Sequence, residues 1–217
     1  MVKVKICGVT NLQDATWAAS LGAEFIGFNF YAKSPRKVSM KMCADVMSKM
    51  PPILDAVGVF VDEETEKILQ AVKKCTLKYV QLHGKEQPEY LAELKQKAGE
   101  AGLEFRIIKA FRIKGSRSLP NLARYTDAAD YFLLDTYVEG VEGGTGETFN
   151  WEVAAEAKKF GREIFLAGGL MPSNVAESVR QAAPYAVDTA SGVERLPRRK
   201  DYELLRDFIM AAKSVKV

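Results

Sequence analysis

Short apolar runs alternate along this chain with longer amphipathic stretches, and the alternation keeps one rhythm from end to end. The runs are rich in Val, Ile and Phe and fall at residues 2–7, 24–30, 54–61, 78–83, 105–111, 130–136, 163–168 and 185–190. Each reads as a β-strand. The stretches between them predict helices at 12–21, 40–49, 64–74, 88–101, 118–126, 150–160, 173–182 and 201–213. The first of these has a ready N-cap in Asn11 and a stop at Gly22. A strand followed by a helix is the unit of a parallel sheet. Here the unit recurs eight times at intervals of about 27 residues, with no linker or break in composition between copies.

Eight such units close into a (β/α)8 barrel, an α/β fold, and the chain is read as a single domain over 1–217. An open doubly wound sheet is the alternative. Against it, no G-x-G-x-x-G follows the first strand and the strands do not divide into two halves.

A barrel tells the reader where to look, because its chemistry sits where the strands end. The predicted strand ends and the loops after them carry Cys7 and Gly8, Ser34 to Arg36, Asp62, Gln81 to Gly84, Lys109, Asp135, Gly168 and Gly169, and Asp188 to Gly192. Polar and Gly-rich groups gather at these ends, whereas the opposite ends look like ordinary turns.

Composition narrows the partners. With 47% hydrophobic and 27% charged residues the chain reads as a globular protein, and a formal net charge of +3 is too small to argue for nucleic acid. The densest basic cluster, Arg195, Arg198, Arg199 and Lys200, reads as a solvated face. No apolar run approaches the roughly 20 residues of a membrane span, and the N-terminus lacks the pattern of a signal peptide. Three scattered cysteines, Cys7, Cys43 and Cys75, argue against a disulfide framework and fit the cytoplasm. Cys43 and Cys75 fall in helices and read as core. No CxxC or HxxxH spacing suggests a metal, and the only histidine, His83, has no serine and aspartate assembled around it in the sequence.

Among the candidates, Gly168-Gly169 after strand seven and Ser191-Gly192 after strand eight form the pair of loops with which barrels often bind phosphate. Glycine lets backbone N–H groups approach an anion, and the helix that follows adds a favourable dipole. Asp135 ends the buried run "YFLLD" and reads either as a turn cap or as an acid. Cys7 ends strand one and reads either as a small core residue or as a base facing Asp135 across the mouth, the arrangement that proton transfer within one substrate requires. Arg36 stands on a loop stiffened by Pro35 and reads as a surface charge or as a fork for carboxylate or phosphate. His83 ends strand four and reads more simply as a histidine bonded to backbone than as a catalytic group. The Gly-rich loop at 137–148 is a candidate lid.

"KICG" at 5–8, "SPR" at 34–36, "VGVFV" at 57–61, "QLHG" at 81–84, "LLDT" at 133–136, "GGTG" at 143–146, "FNW" at 149–151, "LAGGL" at 166–170 and "VDTASGVE" at 187–194 together resemble the phosphoribosylanthranilate isomerases of tryptophan biosynthesis, over essentially the full chain. The resemblance implies an Amadori rearrangement of an aminoaldose phosphate to an aminoketose, with no cofactor and no metal. It implies Asp135 as general acid, Cys7 as general base, Arg36 on the anthranilate carboxylate, Asp188 on sugar hydroxyls with His83 in the same substrate-binding set, and Gly168, Gly169, Ser191 and Gly192 on the phosphate. The partner is then a small sugar phosphate, not a nucleic acid or a membrane, and the chain a cytoplasmic monomer or homodimer. Two positions depart from the family pattern. Ala190 stands where serine is common, and Arg198 where a glycine is usual.

Two other readings stay open. A related barrel isomerises a histidine-pathway aminoaldose, with aspartate in the place of Cys7 and two phosphates on its substrate. A dead barrel kept as a scaffold would be free to lose Cys7 or Asp135, and both are present. If Cys7 is the base, nearby cations and backbone dipoles are expected to lower its ordinary thiol pKa of about 8.5.

Overall fold

The computed structural model describes residues 1–113, 115–135 and 151–216. Eight parallel strands close into a barrel in chain order: β1 Lys3–Cys7, β2 Phe25–Asn29, β3 Asp55–Phe60, β4 Tyr79–Leu82, β5 Arg106–Arg112, β6 Tyr131–Asp135, β7 Glu163–Ala167 and β8 Ala186–Thr189. Each pairs with its sequence neighbours, and β8 returns to β1. The helices between them are α1 Leu12–Ser20, α2 Met40–Met47, α3 Thr65–Cys75, α4 Pro88–Glu100, α5 Glu152–Glu156, α6 Val175–Ala182 and α7 Tyr202–Ser214. Asn11 caps α1 as expected, its side chain accepting from the Asp14 N–H.

Alternation along the strands divides the interior into two cores. Val4 and Ile6 of β1 point outward and are fully buried beneath the helices, in one cluster with Val80, Ile107, Leu134 and Leu166. The inward positions of the same strands form a second cluster inside the ring, built on Phe25, Val57, Tyr79, Ile108, Leu133, Phe165 and Ala186. β1 sends Lys3, Lys5 and Cys7 to that inner side, so its polar half faces the barrel.

Three features differ from the pattern read in the sequence. The helix expected at 118–126 is a 3-10 helix, Ser116–Tyr125, with Pro120 inside it. Proline has no N–H to give and so breaks the α-helical ladder there. The helix expected at 150–160 divides into α5 and a 3-10 turn, Ala157–Phe160, while the candidate lid at 137–148 lies outside the described residues. A hairpin of β9 Glu194–Leu196 and β10 Arg199–Lys200 follows the short 3-10 turn Ser191–Val193. Arg195, Arg198 and Arg199 are exposed on it, as a solvated face would be, while Lys200 is buried.

Candidate active site

A cavity of about 330 Å³ opens where the strands end. Eight of the nine candidate residues line it: Cys7, His83, Asp135, Gly168, Gly169, Asp188, Ser191 and Gly192. The ninth, Arg36, stands at the rim. Asn29, Gln81 and Thr189 join the lining; Gln81 and Thr189 fall among the expected strand-end groups, whereas Asn29 was not anticipated from the sequence.

The loops after β7 and β8 are nested. Thr189 donates its hydroxyl to the Leu170 carbonyl at 2.8 Å, and a Cβ on Gly192 would collide with that same carbonyl oxygen. Only glycine lets the two loops pass this closely. Gly168 and Gly169 both have positive φ, +99° and +63°, and Asn174 closes the turn by accepting from Met171 N and donating to Gly169 O.

His83 has side-chain partners instead of the backbone partner expected. Its Nδ1 lies 3.3 Å from Gln81 Nε2, and its Nε2 lies 3.6 Å from Asp135 Oδ2. With Gln81 donating to Nδ1, the imidazole proton sits on Nε2 and faces the Asp135 carboxylate. The turn that carries His83 is held from below by a buried pair, Lys109 and Glu86, 2.7 Å apart. Lys109 also donates to Gly84 O at 2.8 Å, and Glu86 accepts from the N–H groups of Asp62 and Gly84. Lys109, one of the polar groups at a strand end, is therefore a support of the site.

Arg36 crosses over Gly8, where a Cβ would collide with its Cδ; Gly8 also has a φ of +72°. Its fork grips Glu194, Nε at 2.8 Å and Nη2 at 2.6 Å. The same carboxylate takes Lys200 Nζ at 3.1 Å. Burial pushes the Glu194 carboxyl up, but the Arg36 fork and Lys200 outweigh it and hold it below the usual range. Two cations thus share one carboxylate, leaving this rim net positive and suited to an anion. Lys200 is fully buried and also donates to the carbonyls of Cys7 and Ala190, at 2.7 and 2.8 Å. Arg198, where the resemblance led to the expectation of a glycine, adopts a left-handed φ of +71°. Its guanidinium ties down the Pro35 and Lys37 carbonyls, and its own carbonyl accepts from Thr10. The substitution therefore forces a side chain into a glycine conformation and uses it to brace the Arg36 loop.

Beneath Cys7 lies Lys5, with no exposed surface, its Nζ 2.9 Å from Asp188 Oδ1. Burial opposes the Lys5 charge, yet Asp188 and Cys7 together raise its pKa above the ordinary value. The thiol moves the other way from the expectation. Burial, the largest influence, pushes Cys7 up and Asp188 adds to it, while Lys5 and Lys200 pull it down without prevailing. The cations sought at the mouth are present; they offset the desolvation of the thiol and do not reverse it.

Among the described residues, no three of His, Cys, Asp and Glu gather as a metal-binding set, and no helix is long and apolar enough to cross a membrane.

A closed (β/α)8 ring with a thiol, a carboxylate and two nested glycine loops around one small polar cavity defines a barrel of the class that works on small anionic metabolites. Comparison with known proteins narrows the class. The family of N-(5'-phosphoribosyl)anthranilate (PRA) isomerases matches residues 4–211. An N-(5'-phosphoribosyl)anthranilate isomerase of Trichlorobacter lovleyi is 46% identical over 213 residues, 98% of either chain. The structure of phosphoribosyl anthranilate isomerase from Thermotoga maritima superposes with a TM-score of 0.87 at 39% identity, covering 99% of this chain and 100% of that one. A phosphoribosyl anthranilate isomerase solved with reduced 1-(o-carboxyphenylamino)-1-deoxyribulose 5-phosphate superposes at 0.84, with 37% identity and the same coverage. The chain belongs to the N-(5'-phosphoribosyl)anthranilate isomerase family.

Proposed function

We propose that this chain isomerises N-(5'-phosphoribosyl)anthranilate to 1-(2-carboxyphenylamino)-1-deoxyribulose 5-phosphate, with Asp135 as acid and Cys7 as base. The observation that carries the reading is the presence of both groups on one cavity, with the pair of nested glycine loops on the strands between them. The phosphate sits against the N–H groups of Gly168, Gly169, Ser191 and Gly192. The anthranilate carboxylate lies towards the positive rim, where Arg36 shows with Glu194 that its fork can close on a carboxylate. Asp188 takes sugar hydroxyls.

Asp135 gives a proton to the furanose ring oxygen as the C1–O bond breaks, and the nitrogen lone pair forms a protonated Schiff base. Cys7 takes the C2 proton. The electrons of the C2–H bond become a C1–C2 double bond, and those of the C1=N bond return to nitrogen. The resulting enolamine tautomerises to the ketone at C2. The sequence moves protons within one molecule and calls for no redox cofactor. His83 holds Asp135 from the side through its Nε2. The enzyme works in the cytoplasm, as a monomer or a homodimer.

The test is turnover of freshly prepared phosphoribosylanthranilate, followed by loss of its fluorescence. Cys7→Ser and Asp135→Asn are each expected to lose turnover by about 10²–10⁴-fold while still binding the reduced product. Near-normal turnover in either variant ends the assignment of that residue.

A further inference from the structure

Cys7 needs to give up a proton, yet burial works against its thiolate. We propose that Lys5 is a positioning residue for the reaction: its ammonium, held by Asp188, is the charge against which the Cys7 thiolate forms. The proposal rests on Cys7 being the base.

The geometry places the three groups in one array. Lys5 lies two positions before Cys7 on β1, so both side chains leave the strand on the inner face. Strand pairing sets Lys5 opposite Asp188 of β8, and the two charges meet at 2.9 Å. On the other flank, pairing sets Cys7 opposite Gly27 of β2. A Cβ built on Gly27 would lie 2.9 Å from Cys7 Sγ and 3.2 Å from Lys5 Nζ, so thiol and ammonium fill the space a side chain would occupy. The hydrogen bond of Lys5 goes to Asp188, and from there its charge favours a thiolate at Cys7.

A lysine with no exposed surface is costly to keep, and a buried ion pair is weak support for stability. An aliphatic residue at this position would spare that cost. What the pair supplies instead is charge at a chosen atom. The charged groups facing Cys7 are Lys5 and Asp188 from the barrel interior and Lys200 and Arg36 from the rim, Arg36 being committed to Glu194. Lys200 is committed to the carbonyls of Cys7 and Ala190 and to Glu194, and does not bond the thiol. Lys5 is thus the cation that shares the Gly27 space with the sulfur, anchored there by Asp188. Asp188 keeps Lys5 protonated and leaves it one further anion to serve. When the thiolate takes the C2 proton, an S–H bond replaces the C–H bond, and Lys5 keeps its proton and its pairing with Asp188.

Three variants test this: Lys5→Met, Lys5→Gln, and Gly27→Ala, which leaves both groups in place and crowds them apart. The readout is the rate of Cys7 carboxamidomethylation by iodoacetamide against pH, mapped by peptide mass because Cys43 and Cys75 are buried. In the Lys5 variants the midpoint is expected to rise by roughly 1–3 pH units. The ascending limb of the pH–rate profile should move with it, while kcat at neutral pH falls by an order of magnitude or more. KM and affinity for the reduced product should change little. Gly27→Ala moves the midpoint the same way by less. A midpoint unmoved or lowered in variants that bind product normally overturns the proposal. The two levels separate cleanly. If Cys7→Ser is inactive and the midpoint does not move, only the role of Lys5 fails; if Cys7→Ser turns over normally, both fail.

Discussion

Where the strands begin, Phe25, Tyr79, Tyr131, Phe165 and Tyr185 pack ring against ring, with centroids 5.2–6.4 Å apart. Where the strands end, the same inner face carries Cys7, Gln81, His83, Asp135 and Asp188. β1 runs through both. Its Lys3 rests half-buried on the phenol of Tyr185 at 2.6 Å, and two residues later Lys5 is fully buried on a carboxylate. At the first end, apart from Lys3, the polar atoms among the rings are neutral hydroxyls attached to large apolar groups. Burial raises the Tyr79 and Tyr131 hydroxyls to about 12, so they stay protonated at any ordinary pH. At the second end, polar atoms are charged, close together and matched against one another. Wider grooves do open at the first end, of about 580 and 490 Å³, but neither holds a thiol and a carboxylate beside a pair of glycine loops as the smaller cavity does. One end spends its inner face on packing and the other on placed charge.

Exchanging the losses is the sharpest way to break that contrast. Cys7→Ser or Asp135→Asn should lose turnover by orders of magnitude with a denaturant midpoint close to the parent. Phe165→Ala, fully buried among the rings, should lose about 3–5 kcal/mol of stability by urea unfolding and keep its kcat at temperatures where it is folded. Arg36→Ala should weaken binding of the reduced product by roughly 2–5 kcal/mol in calorimetry. An unchanged affinity would return Arg36 to a purely structural bond with Glu194. The tyrosines give a pH signature. Their folded pKa values lie above the unfolded value of about 10. The unfolded chain therefore loses those protons first, and stability should fall as pH climbs from about 10 to 12. Tyr79→Phe should flatten that fall in pH-dependent melts. The smallest change is at Arg198. Glycine there relieves a left-handed backbone worth about 1 kcal/mol and should raise Tm slightly, while loosening the Arg36 loop enough to weaken product binding a little.

The barrel was legible because its strands are buried on both faces, which writes them as continuous apolar runs. All eight lie within a residue or two of their expected bounds, and the site follows from the rule that strand ends carry chemistry. What escaped was charge whose meaning depends on ring closure. Lys5 is a lysine in a short strand until β8 arrives beside it with Asp188. Lys200 looked solvated because Cys7, whose carbonyl it binds, is far away in the sequence, and the bond of the exposed Arg198 to Pro35 was hidden for the same reason. Glu194 likewise meets Arg36 only through the fold. The strand alternation did hold one unused signal. Val4 and Ile6 face out, so Lys3, Lys5 and Cys7 must face in, and a lysine facing a barrel interior needs a partner. The thiol's direction was misjudged for a related reason: the cations could be anticipated from the mouth's composition, whereas the depth of burial could not.

The array around Cys7 also has an order in time. Its members are separated by most of the chain, Asp188 lying 183 residues beyond Lys5 and Lys200 lying 193 beyond Cys7. During synthesis the thiol emerges first and its cation's counter-charge nearly last. A nascent chain stalled short of Asp188 is expected to show an ordinary cysteine to a thiol reagent. The surroundings of the thiol are thus complete only once the last strand has been made and has closed the ring.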